Sequence, residues 1–352
     1  MKYRTLPGSE LLISEVGFGL WTVSTGWWGN YTNEEAVRLM RLGADLGITL
    51  FDAADTYGNG RSEELIAKAF TSIGERERVV IATKVGYDFI HYGEERRGQR
   101  EIPQDFRPEA IIKATEAALE RLHTDYIDVL QLHNIHFEQV EADDLWATLE
   151  KLREQGKIKH AGVALGPAIG WLGEGAAVIT KRNPDMLQHI YNLLEQHPGS
   201  ALHQVANDSA AKTKFFIRVP HSSGMLEGKY TAETVFPPTD HRSHRPKSWL
   251  LAGVKKIDQL RFLENEHRTM GQAAIQWLLH DPRVATVLPN IYNEEQLREF
   301  AATSETESLN DDEMKRIAAL VASNFGLEPE VSKFKGCMEW PALACNGLTS
   351  SD

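Results

Sequence analysis

The sequence predicts an α/β protein of the (β/α)8 barrel class, and three features predict it. Eight short apolar runs, mostly β-branched and aliphatic, punctuate the chain at residues 16–19, 48–51, 79–83, 127–132, 160–163, 186–190, 215–219 and 284–288. Amphipathic segments with helix start and stop signals separate them. Runs of this kind suit parallel strands covered on both faces, not strands with one wet face. Eight repeats over a span of about 290 residues match a closed barrel with an outer ring of helices better than an open sheet.

Taken in order, residues 2–6 and 11–15 flank Pro7-Gly8 and read as a hairpin plugging the barrel floor. Thr32-Asn33-Glu34-Glu35 carries the capping signature of a helix running through Leu46, and Gly47 stops it. Pro108, whose missing N–H costs nothing in a first turn, opens a helix reaching Leu122. Residues 143–155 form another, ended by Gly156. Three segments break the rhythm. Residues 86–107 are long, charged and glycine-containing. Residues 230–248 are rich in Pro and His and precede an extra helix near 249–264. After a final helix from about Asn310 to Ala322, the rest has no clear period. The expected organisation is one barrel, residues 1–323, with an irregular tail, 324–352. The first two segments follow runs three and seven. Barrel active sites are built on that face, so both read as lids.

Composition sets further bounds. With 352 residues, 42% hydrophobic and 25% charged, the chain can bury a large core. A net charge of -12 repels phosphate backbones and anionic lipid, which argues against nucleic acid and membrane partners. The basic cluster HRSHRPK at 241–247 is too short to reverse that. No apolar signal-peptide core follows MKYRTLPGSE. No run approaches the roughly 18 apolar residues of a spanning helix. Only Cys337 and Cys345 are present, a spacing that fits no tight zinc knuckle and merely permits a disulfide. The expected location is the cytoplasm; the oligomeric state stays open.

The chemistry gathers at strand ends. Run two leads into Asp52 and, five residues on, Tyr57; run three into Lys84; run four into His133 and Asn134. Consecutive strands therefore bring an Asp, a Tyr, a Lys and a His to one rim. Carbonyl reduction puts negative charge on oxygen as hydride arrives, so a proton donor is needed there. A phenol with a reference pKa of about 10 exchanges protons poorly at neutral pH unless a neighbouring cation assists. Lys84 is that cation, Asp52 holds it charged, and His133 can orient the carbonyl by a hydrogen bond.

The segments FDAADTYGNGRSEELIAKAF, IATKVG, DVLQLHN, NLLEQHPG and RVPHSSGMLEGKY resemble the signatures of the aldo-keto reductases, from about Lys2 to Ala322. The resemblance implies a nicotinamide-dependent oxidoreductase acting on a small carbonyl or alcohol, an aldehyde, ketone or sugar. Tyr57 would be the proton donor, Lys84 and Asp52 its tuners, and His133 the carbonyl orienter. It also implies that Gln188 holds the nicotinamide carboxamide and that the loop carrying Pro220, Gly224 and Leu226 lies along the cofactor.

Three departures from that pattern matter. Where the family places Ser-Asn after run five, this chain has Ala164-Leu165. Where an aromatic residue stacks on the nicotinamide after run seven, Arg218 stands. Its charge would favour the reduced cofactor or pair with an acidic substrate; a side chain turned to solvent is the bland alternative. Where many members grip a 2′-phosphate with Lys and Arg, this chain has Asn290 and Gln296, beside Glu294 and Glu295. NAD(H) is therefore expected over NADP(H), with Arg298 the residue able to reverse that.

Trp21, Trp28, Tyr87 and Asn134, with Trp27, are candidate walls of a substrate pocket. Arg96, Arg97 and Arg100 could reach a phosphate or carboxylate, or form a solvated loop. His133 and His136 have metal-like spacing without ligands on other strands, so no metal is expected. Two rival classes remain: a cofactor-binding regulatory or scaffolding barrel with little turnover, and a metal-dependent barrel hydrolase. The hydrolase would need ligands at the first strand end, where the chain reads Gly17-Phe18-Gly19-Leu20.

Overall fold

Each apolar run becomes a strand with alternate side chains turned inward and outward, and that alternation organises the molecule. The computed structural model describes residues 1–92, 102–238, 240–328 and 333–341. An antiparallel hairpin pairs β1 (Tyr3–Arg4) with β2 (Ile13–Ser14). Eight barrel strands follow: β3 (Phe18–Gly19), β4 (Leu50–Asp52), β5 (Val80–Val85), β6 (Ile127–His133), β7 (Ile158–Ala164), β8 (Met186–Ile190), β9 (Lys214–Arg218) and β10 (Val284–Leu288). They pair in sequence order, every neighbour parallel. The ring is nearly closed. Between β3 and β10 it narrows to one parallel bridge, Val16 with Val287, framed by Gly17 N–H to Val287 O and Val287 N–H to Glu15 O, each 2.9 Å. Strand ends fall within two residues of the expected runs.

The hairpin does plug the floor. Leu6 and Ile13 pack inside the ring against Leu50, Val80, Val129, Met186 and Phe216. Outward residues of the same strands, among them Phe51, Ile81, Leu130, Leu187 and Ile217, join the larger core under the helices. Those helices start where the chain signals. Asn33–Asp45 opens with a reciprocal cap: the Glu35 N–H donates to Thr32 Oγ1 at 3.2 Å, and the Thr32 N–H to Glu35 Oε2 at 2.8 Å. Pro108–Leu122 carries its proline in the first turn. Asp143–Glu154 ends one residue earlier than expected.

The extra helix, Lys247–Leu260, begins two residues early and continues as a 3-10 turn, Arg261–Leu263. Its Leu250, Ile257 and Leu260 form a second cluster with Met225, Leu226 and, from beyond the last long helix Asp311–Ala322, Phe325. Further on, Lys335 docks on the loop after β7: the Trp171 N–H donates to Lys335 O at 2.8 Å and the Lys335 N–H to Ile169 O at 3.0 Å. Arg96, Arg97, Arg100 and Cys345 lie outside the described residues. Among the described residues, no helix is long and apolar enough to cross a membrane.

Candidate active site

The inward face of the barrel changes character along its axis. Leu50, Val80, Val129, Met186 and Phe216 make an apolar layer. Two or four residues further along each strand, in the same parity, stand Asp52, Lys84, Gln131, Gln188 and Arg218, with His133 two beyond Gln131. One period-2 pattern therefore builds both the packed floor and the polar rim.

Lys84 is fully buried, at 0% exposure, and its Nζ donates to Asp52 Oδ2 and to Ala53 O, both at 2.7 Å. Asp52 Oδ1 in turn accepts from Gln131 Nε2 at 2.9 Å and from Gln188 Nε2 at 3.1 Å. Burial alone would push the Lys84 pKa down. The Asp52 carboxylate and the Tyr57 phenol outweigh it, so the ammonium titrates above its ordinary value and stays charged. Nζ lies 4.7 Å from the centroid of the Tyr57 ring. Four of the expected residues thus meet: the His133 ring is 6.1 Å from that of Tyr57, edge-on.

Tyr57 sits on a tight turn between β4 and the helix Arg61–Ala69. Gly58, at φ +63, makes that turn possible: a Cβ there would lie 2.3 Å from Ser24 O. Arg61 holds the facing loop, donating from Nη1 to Val23 O at 3.1 Å, from Nη2 to Tyr31 O at 2.6 Å and from Nε to Asn33 Oδ1 at 3.1 Å. That anchors Trp21, whose ring meets Tyr57 edge-on at 5.1 Å. Tyr87 meets His133 at 5.1 Å. Its hydroxyl accepts from Asn134 Nδ2 at 2.6 Å, while Asn134 Oδ1 is buried with no partner among the described residues. Three of the four expected substrate residues, Trp21, Tyr87 and Asn134, therefore border the cluster.

Arg218 is not turned outward, which corrects the bland reading. From the end of β9 its Nη2 reaches across β8 to the carbonyls of Leu165, at 2.7 Å, and Gly166. The backbone there has no polar side chain of its own at 164 or 165 to take its place. Burial lowers the guanidinium pKa; Tyr57, Asp52 and Tyr87 pull it back up.

The remaining expected residues lie apart from this cluster. Pro220, Gly224 and Leu226 form a buried turn after β9, with Val219, Ser222, Ser223 and Gly224 all at positive φ. Asn290 Oδ1 accepts from Thr22 Oγ1 at 3.3 Å. Gln296 is fully engaged: its Oε1 accepts from the Tyr292 N–H at 2.9 Å, and its Nε2 donates to Glu227 Oε2 at 2.8 Å. Arg298 is held by Glu294 at 2.8 Å.

Trp28 packs against the segment after β9 instead. The segment after β9 folds back so that the His241 N–H donates to Trp27 O at 3.3 Å, and the His241 ring lies 5.4 and 5.6 Å from those of Trp27 and Trp28. Arg242, paired with Asp240, stacks 4.9 Å from both Trp28 and Phe236 and 5.8 Å from Tyr292. The 230–248 segment, expected as a lid, thus packs across the loops after β3 and β10. His136 packs on Trp171 at 5.3 Å, and no cluster of three metal-type ligands occurs among the described residues.

Sequence reasoning missed Gln131, Glu227 and Arg242. Gln131 had a usable signal, since it shares the inward parity of His133. Glu227 sits in the quoted Gly-x-Leu-x-Gly-Lys segment, but its buried contact with Gln296 is a tertiary fact. Burial pushes the Glu227 carboxyl up to about 6, against the Gln296 hydrogen bond.

A family model described as "Aldo/keto reductase family" matches residues 15–322. The chain is 29% identical over 288 residues to the aldo-keto reductase YhdN of Bacillus subtilis (strain 168), covering 80% of this chain and 82% of the relative. It is 26% identical over 314 residues to the NADH-specific methylglyoxal reductase of Escherichia coli (strain K12), covering 86% and 93%. Among solved structures, the holo form of aldo-keto reductase AKR11C1 from Bacillus halodurans aligns with a TM-score of 0.72 at 25% identity, over 91% of this chain and 96% of that one.

Proposed function

The chain belongs to the aldo/keto reductase family, and from that premise we propose that it is a nicotinamide-dependent carbonyl reductase in which Tyr57 moves the proton. The observation carrying this is the buried Lys84, held cationic by Asp52 and set 4.7 Å from the phenol ring.

The residues present fit a dinucleotide. The buried turn after β9, with Ser222, Ser223 and Gly224 at positive φ, is the backbone that would lie along the diphosphate. Arg245 Nη2 donates to Ser223 Oγ at 3.2 Å, placing a cation beside it. Gln188, with its Oε1 not used in the contacts to Asp52 and Gln131, would hold the carboxamide. When bound, the nicotinamide supplies or takes up the hydride. The chain does the rest: Tyr57 Oη gives its proton to the developing alkoxide, Lys84 stabilises the phenolate left behind, Asp52 keeps Lys84 in place and charged, and His133 orients the carbonyl. Trp21, Tyr87 and Asn134 wall the substrate space.

The preferred cofactor is NAD(H). Gln296 is tied to Glu227 and Arg298 to Glu294, so the side chains at the positions that would grip a 2′-phosphate are already engaged with carboxylates. The substrate is a small aldehyde, ketone or sugar, and the expected location is the cytoplasm.

A second reading, a cofactor-binding regulatory barrel with little turnover, is favoured by one observation: Arg218 crosses to the end of β7, where Ala164 and Leu165 offer a nicotinamide no side-chain hydrogen bond. One experiment separates the two. Purified protein with NADH is assayed on a panel of aldehydes and ketones beside Tyr57→Phe, with cofactor binding followed by fluorescence. Reductase function predicts turnover that falls 10²–10⁴-fold in the variant while NADH still binds. NADH binding with no turnover on any member selects the regulatory reading.

A further inference from the structure

We propose that Arg218 is an anion-recognition site for the substrate, so that the carbonyl compounds this enzyme prefers carry a carboxylate or phosphate beside the reacting group. This rests on the reductase reading above and deepens it.

Two cations of the rim differ in their pairing. Lys84 and Asp52 form a pair at 2.7 Å and cancel each other. Arg218 has no carboxylate partner: among the described residues it makes no ion pair, and its two hydrogen bonds, both from Nη2, go to the backbone carbonyls of Leu165 and Gly166. Its Nε is shut off from water and bonded to nothing among the described residues. No hydrogen bond from Nη1 occurs among them either. A guanidinium stays protonated at neutral pH, so Arg218 holds a positive charge that no carboxylate pairs with among the described residues, on a group with donors to spare.

Position gives that charge a use. Arg218 stands on the same inward face as Asp52, Lys84 and Gln188, and the Asp52 carboxylate is among the groups that raise its pKa against burial. Fixed at Nη2, the planar group cannot swing out to solvent without giving up two carbonyl contacts. The nearby acceptors are already used: Asp52 Oδ2 by Lys84, and Oδ1 by two glutamines. A half-buried cation without a carboxylate partner is costly, and a bidentate carboxylate or phosphate oxygen pair is the partner that suits its geometry. The occupant that completes the site is therefore an anionic group brought by the substrate. The same charge opposes cationic substrates.

The test compares matched pairs on wild type, Arg218→Leu and Arg218→Lys with NADH. The carboxylate pair is 4-formylbenzoate against 4-methylbenzaldehyde; the phosphate pair is glyceraldehyde 3-phosphate against glyceraldehyde. Wild type should favour one anionic member at least tenfold in kcat/KM, chiefly through KM, and which pair responds identifies the anion. In Arg218→Leu that ratio should collapse to about one, whatever happens to the absolute rates, and Arg218→Lys should restore part of it. A wild-type ratio near one in both pairs, or a ratio unchanged in Arg218→Leu, overturns the proposal. Turnover of the neutral members reports on the reductase reading separately. Calorimetric titration of wild type with 4-methylbenzoate and with glycerol 3-phosphate reads the site without turnover or a folded variant. Binding of one of them supports the site; binding of neither rejects it.

Discussion

At the scale of single residues, the site is a set of charges whose compensation can be read atom by atom. Lys84 and Asp52 compensate each other, Glu63 is matched by Arg121 at 2.7 Å, and Arg218 makes no ion pair among the described residues. Glu227 is the case in which ionisation works against the fold. Its carboxyl is pushed up to about 6 by burial, with Gln296 and Lys229 opposing and Glu299 reinforcing. A raised acid contributes stability that is fully present below its ordinary value near 4.5 and is lost as pH climbs through 6. At pH 8 the ionised group therefore costs about 2 kcal/mol. Glu227→Gln should raise the unfolding free energy by roughly that amount at pH 8 and by little at pH 5, as read by urea denaturation. It should also narrow the gap between NADH and NADPH affinities. An equal gain at both pH values would mean that the carboxyl is not the titrating cause.

At the scale of elements, loops following strands do the positioning, and they were only partly legible. The D-x4-Y spacing from Asp52 to Tyr57 was visible in sequence because a tight turn fixes it locally. The place of Arg218 was not, since its partners at 165 and 166 are more than fifty residues away and are backbone atoms. The 230–248 segment stood out from its composition, but not what it packs on, because contact with Trp27, Trp28 and Tyr292 joins three separate loops. Arg242 holds that segment between rings, each such contact contributing about 0.5–2 kcal/mol. Arg242→Ala should speed NADH release about tenfold in stopped-flow fluorescence, a loss of roughly 1.4 kcal/mol, with the chemical step little changed. An unaltered release rate would show that the segment does not cover the cofactor.

At the scale of the whole molecule, one alternation of side chains along the strands divides labour. The lower inward layer packs, and the upper one carries the polar cluster to which the proposed reaction is assigned. Strand number, order and the floor hairpin were legible because apolar runs and helix caps are local signals. The docking of Lys335 beside Trp171 was not, because no periodicity marks the tail. The division predicts that floor and rim can be altered independently. Ile13→Ala, which removes a fully buried side chain from the floor, should cost about 2–5 kcal/mol of stability and leave KM for carbonyl substrates within about twofold. A large change in KM with little loss of stability would mean that the two layers are coupled.

The central claim is that a hydride carrier and the Tyr57 hydroxyl face the same carbonyl carbon–oxygen bond. A crystal structure of the protein with NADH and an unreactive carbonyl analogue tests it most directly. The account predicts the nicotinamide C4 about 3–3.5 Å from the carbonyl carbon, with the carbonyl oxygen in hydrogen-bond reach of Tyr57 and His133. A dinucleotide bound with C4 turned away from Tyr57, or an analogue seated out of reach of both side chains, would contradict it.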